Sequence, residues 1–218
     1  NNTGQTITPL LSTIWPIRNP PSSADHDIDA PEVWDLGFTG AGVVVGIVDE
    51  GVRFTHGDLG ANMADTSACS PPSTKHGYDY AGANSTLIPS VPDDDPSPVP
   101  PFCIPATHPT CYTDLDLSHG THVAGIVSAV GNNAVGGVGV AFGAKLVALK
   151  VFPDDGNGAT DEDILAAIDY ARVNGLDIVN MSLGRGGDIS AVMTIALQAA
   201  IAAGTLFVAA AGNGGTDG

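Results

Sequence analysis

An α/β fold, a mostly parallel sheet flanked by helices, is predicted by three observations. Residues 43–48, Val-Val-Val-Gly-Ile-Val, form an apolar, β-branched run of the kind a strand buried on both faces requires. Thr160 followed by Asp163 resembles a capping box, and Ile164, Ala167, Ile168 and Ala171 then recur on one helical face. A strand at 177–183, an Ala-rich helix at 189–203, Gly204 and a strand at 205–210 complete a β-α-β-α-β run, which short right-handed crossovers turn into a parallel sheet.

The remaining elements follow in order. Residues 1–34 are polar and punctuated by proline, with Leu10, Leu11, Ile14, Trp15 and Ile17 among few apolar positions, so they are expected to wrap as an extended segment around a core built from 35–218. The stretch 81–116 holds half of the 16 prolines and reads as a long surface loop. Residues 119–130 have the small and apolar spacing of a buried helix, 145–151 alternate as a second strand, and Asn174-Gly175 closes the helix begun at Thr160. No repeat or linker divides the chain.

Composition narrows the function classes. The 218 residues are 43% hydrophobic with 28 glycines, which argues for a packed domain rather than a disordered tail. Seven basic against 24 acidic residues give a net charge of −17, which repels nucleic acid and anionic lipid. No apolar run approaches the roughly 20 residues of a membrane span. The acidic clusters at Asp93-Asp94-Asp95, at Asp114 and Asp116, and at Asp154-Asp155 with Asp161-Glu162-Asp163 read either as a solvated face or as oxygen ligands for calcium.

The chain begins at Asn1 with neither an initiator Met nor an apolar leader, as a processed or trimmed chain would. Asn1 and Asn84 head glycosylation sequons in polar surroundings, which points to secretion; the sequon at Asn180 is hidden in a strand pattern. Three cysteines leave one unpaired within the chain: Cys103 with Cys111 would close a small loop, and Cys69 could pair outside this segment.

Chemistry concentrates where open α/β sheets place it, just past strand C-termini. Asp49 follows the first strand in Gly46-Ile47-Val48-Asp49-Glu50-Gly51, His119 opens a helix in His119-Gly120-Thr121-His122, and Asn213 follows the last strand in Ala211-Gly212-Asn213. These segments, with Asn180-Met181-Ser182-Leu183-Gly184, resemble in order the landmarks of the subtilase family of serine proteases.

The resemblance implies a subtilisin-like, doubly wound fold and a set of roles. Asp49 would orient His119, His119 would act as general base and then general acid, and Asn213 would donate its side-chain amide to the oxyanion. Ser182, Leu183 and Gly184 would form the edge that pairs with an extended peptide or protein substrate. His122 is expected to pack in the core-facing turn, without a catalytic role, and His26, His56, His76 and His108 to lie at the surface. The Gly-rich stretch 132–141 resembles the family's calcium loop, implying Ca2+ held by Asp58, Asn133, Val135 and Gly137 together with the neighbouring Gly131. Pro9-Leu10, Trp15, Glu50 and Asp95-Pro96-Ser97-Pro98 lean toward the kexin-like branch, whereas His122-Val123 and Ser182 to Arg185 resemble ordinary bacterial subtilisins.

The family's serine segment does not occur in these residues. Ser118 precedes His119 as a cap, and Ser182 belongs to the substrate edge. The expectation is therefore a fold truncated on its C-terminal side, inactive alone, and completed by a C-terminal chain or remainder carrying the Ser. The alternative is a catalytically inactive subtilase-like domain in an extracellular assembly.

Overall fold

The computed structural model describes residues 27–81, 92–98, 119–153, 158–184 and 186–213. Its chain order is α1 (Ala30–Asp35), β1 (Val44–Asp49), a 3-10 turn (Gly60–Asn62), β2 (Gly77–Asp79), α2 (His119–Ser128), β3 (Lys145–Lys150), α3 (Asp161–Asn174), β4 (Ile178–Met181), α4 (Ala191–Ala202) and β5 (Leu206–Ala209). The five strands are all parallel in the order β2-β3-β1-β4-β5, so the expected doubly wound α/β sheet is present with β1 at its centre.

Alternation along the buried strands assigns each side chain to one of two helical layers. Val45 and Ile47 of β1, with Leu146 and Ala148 of β3, pack with Ala124 of α2 on one face. Val48, Val147, Leu149 and Val179 pack on the other with Ile164, Ala167, Ile168 and Ala171 of α3 and Met193 and Ala200 of α4. Asp49 continues the series of Val45 and Ile47, so strand parity delivers it to the α2 side.

The helix boundaries follow from their caps. Thr160 Oγ1 accepts from Asp163 N while the Asp163 carboxylate accepts from Thr160 N, the reciprocal box expected at α3. Gly175 ends that helix at φ 65°, a left-handed turn suited to glycine. Ser190 caps α4 by accepting from Met193 N.

Several expectations are corrected. The strand expected at 177–183 ends at Met181, leaving Ser182 to Gly184 outside the ladder. His122 is exposed on α2 rather than packed inward, because Gly120, Ala124 and Ser128 occupy the buried face. The long loop is not wholly superficial: Pro96 and Pro98 are buried, Asp93 bridges Asp79 of β2, and Val52 N donates to Pro96 O. Of the acids in that loop, Asp95 accepts from Lys75 Nζ at 3.0 Å. Asn1, Asn84, Cys103, Cys111, His26, His108, Ser118, Pro9, Leu10 and Trp15 lie outside the described residues. No helix among the described residues is long and apolar enough to cross a membrane.

Candidate functional site

Asp49 is the last residue of β1 and is 2% exposed. Its Oδ1 and Oδ2 lie 2.8 and 3.0 Å from His119 Nδ1, and Oδ1 also accepts the Glu50 N–H at 2.8 Å. An ionised carboxylate only accepts, so Nδ1 carries the proton and Nε2 is left as a base. The His119 side chain is 53% exposed, which leaves it open to a reacting group.

This meeting of helix and strand depends on Gly120. A Cβ there would stand 2.3 Å from Gly51 O and 2.9 Å from Asp49 Cβ, so only glycine lets the first turn of α2 rest on the end of β1. Gly51 is the second requirement, at φ 112° and pressed beneath Pro96 and Pro98. Thr121 Oγ1 accepts from Arg53 N at 2.9 Å and ties the next residues together.

The electrostatics suit a base. The Asp49 carboxylate raises the His119 pKa, chiefly through their hydrogen bond, and Glu50 adds its field in the same direction. Burial pushes the Asp49 pKa up, opposed by the hydrogen bonds from His119 and Glu50. Glu50 is likewise raised by burial, and its Oε1 accepts the His119 backbone N–H at 2.6 Å. Sequence reasoning gave Glu50 no such contact; the signal available was a carboxylate one residue past the Asp, on the turn that faces the helix start.

The other expected residues gather on the same edge, because every strand is parallel. Ser182 to Gly184 follow β4, next to β1, and Asn180 Nδ2 donates to Ser182 Oγ. Asn213 lies four residues beyond β5, exposed, after Gly212 at φ 91°. Two inter-strand steps separate β1 from β5, about 10 Å. Beside Leu183 and Gly184 opens a pocket of about 390 Å³ whose walls include Phe152, Ile164, Met193 and Phe207. Its lining is dominantly apolar, so it suits a hydrophobic side chain.

The loop at 131–137 stands apart from this edge, beside Asp58. Left-handed residues at Asn132, Ala134 and Gly136 alternate with Asn133 and Val135, curling the loop around the Asp58 carboxylate. Asp58 is buried and accepts from Asn133 Nδ2 at 2.7 Å and Gly137 N at 2.9 Å. A buried carboxylate, a side-chain amide and curled backbone are the donor types a calcium ion takes, so Asp58, Asn133 and the carbonyls of Gly131, Val135 and Gly137 fit one in kind.

The sequence profile of the subtilase family matches residues 40–218. An extracellular basic protease of Dichelobacter nodosus is 33% identical over 209 residues, covering 88% of this chain and 32% of that protein. Subtilisin E of Bacillus subtilis is 32% identical over 191 residues, covering 88% of this chain and 39% of its own. Among solved structures, a protease from Pseudoalteromonas arctica superposes with a TM-score of 0.69 at 33% identity, over 86% of this chain and 54% of that one. The chain thus spans about a third of the length of these two relatives.

Proposed function

Since the chain belongs to the subtilase family of serine proteases, we propose that it is the Asp- and His-bearing part of a secreted serine endopeptidase. The observation that carries this reading is the buried Asp49 carboxylate 2.8 Å from His119 Nδ1, which leaves Nε2 as the basic nitrogen of a half-exposed ring.

In the proposed reaction, His119 Nε2 takes the proton of a serine hydroxyl as the oxygen attacks the scissile carbonyl. The imidazolium so formed is stabilised by Asp49, then protonates the leaving amine. Asn213 donates its amide to the oxyanion. Removing the equivalent donor from subtilisin, a magnitude borrowed from that enzyme, costs about a hundred- to a thousand-fold in turnover. The extended substrate pairs with the backbone of Ser182 to Gly184 and places an apolar side chain in the neighbouring pocket.

The serine is carried by a complementary segment outside these residues. Supporting this, β5 is an edge strand whose Leu206 and Val208 are exposed, as are Ile195 and Ile201 of α4, an apolar face that a further layer would bury. Calcium at the Asp58 loop would cross-link that loop to the segment after β1 and act on stability. Secretion is supported by relatives named as extracellular proteases, from Dichelobacter nodosus and Xanthomonas campestris. Glycosylation at Asn1 and Asn84 and a Cys103–Cys111 bridge belong to the same reading.

Labelling the full-length protein with a fluorophosphonate probe tests it. Covalent labelling that disappears in a His119→Ala variant is expected. Absence of labelling in the unmodified protein would favour the non-catalytic domain instead.

A further inference from the structure

We propose that Glu50 is a positioning residue for His119, closing a ring of three hydrogen bonds that fixes the imidazole against Asp49. The N–H of His119 is one of the donors that the first turn of α2 cannot satisfy within the helix. Glu50 Oε1 accepts it at 2.6 Å, a short contact of the kind a carboxylate makes with a helix-start N–H. The same residue donates its own backbone N–H to Asp49 Oδ1 at 2.8 Å, and that oxygen lies 2.8 Å from His119 Nδ1.

The ring therefore runs from Asp49 through Glu50 to the His119 backbone and back through the imidazole. The bond to Nδ1 limits χ1 and χ2, and the bond to the backbone N–H fixes where the His119 backbone stands relative to Asp49, so the two together set the position of the imidazole. A carboxylate at a helix N-terminus is also favoured by the helix dipole, so the contact stabilises the start of α2. Among the described residues, the charges acting on the imidazole are those of Asp49 and Glu50, both from the end of β1. The catalytic consequence rests on the peptidase reading; the ring itself does not.

The full-length protein, labelled with 15N at histidine, supplies the test. Glu50→Gln keeps size and acceptor but removes the charge, and the His119 pKa should fall by about 0.3 to 1 unit. The acid limb of kcat/KM should move to lower pH by the same amount, with kcat about three- to tenfold down and KM within about twofold. Glu50→Ala also removes the acceptor, and the His119 amide should then exchange faster with solvent. An unchanged His119 pKa and amide exchange in both variants would overturn the proposal, whatever happens to Tm. If the unmodified protein turns over no peptide, the peptidase reading fails, and the titration and exchange still decide the ring.

Discussion

Lys150 Nζ lies 2.7 Å from Asp79 Oδ2, and neither side chain meets solvent. Register pairs Asp79 with Lys150 and Lys150 with Asp49, so three charges stand in a row across β2, β3 and β1 on one face of the sheet. Lys150 is bonded to Asp79, and Asp49 to His119. Replacing Asp79 by Asn would remove the carboxylate bonded to a buried ammonium, at an expected cost of about 3 to 5 kcal/mol. Urea unfolding measures it. Asp79→Leu combined with Lys150→Met should cost less than the single change, and a single-variant cost near zero would show the pair to be structurally idle.

The His119–Asp49 bond fixes the sign of a pH effect. Asp49 holds the His119 pKa above its ordinary 6.5, and only the neutral ring can accept a proton. Activity of the full-length protein should therefore rise through a pKa above that value. Asp49→Asn should bring the limb down and reduce kcat by about ten-thousandfold, the size seen when a triad carboxylate is lost elsewhere. A limb that stays in place in Asp49→Asn would count against the assignment.

Gly120→Ala probes the approach of α2 to β1. The added Cβ would meet Gly51 O and Asp49 Cβ inside contact distance, so the helix must lift. The expected result is a loss of about 1 to 3 kcal/mol in stability together with a drop in kcat, since His119 moves with the helix. Gly125→Ala, with open space at its Cβ, is the control and should be close to neutral.

Legibility in the sequence tracked how local each signal was. The α3 capping box, its buried stripe and the Gly175 stop were readable because all three act within a few residues of one helix. The β-branched run gave β1 to within a residue, and the structure brings His119 and Asp49 into hydrogen-bond contact. Pairing distant in sequence was not legible. Strand β2 is three residues long and exists because β3 offers it an edge, and Pro96 is buried because Val52 donates to it. His122 was misplaced for a related reason: the spacing from His119 is helical, but which face is buried depends on where β1 and β3 lie.

Calcium at the Asp58 loop is testable without any assay of activity. If the ion binds only the folded chain, Tm should climb with added Ca2+, and stability should gain about 2.7 kcal/mol at a hundredfold excess over Kd. Asp58→Ala removes the carboxylate that Asn133 and Gly137 now hold, so it should abolish the dependence on calcium. Calorimetric titration of the chelated protein gives the stoichiometry, and a flat Tm with no heat would exclude the site.

The pocket beside Leu183 makes a claim about selectivity. Because its lining is dominantly apolar, its contribution to binding should scale with the hydrophobic area a substrate side chain buries there. Ala159 forms part of the wall and is only partly buried, so Ala159→Phe can fill the space without rebuilding the core. Peptides carrying Phe or Leu at the matching position should lose about tenfold or more in kcat/KM, while alanine peptides stay within about twofold. Equal losses on both series would mean that the substitution disturbed the catalytic edge rather than a specificity pocket.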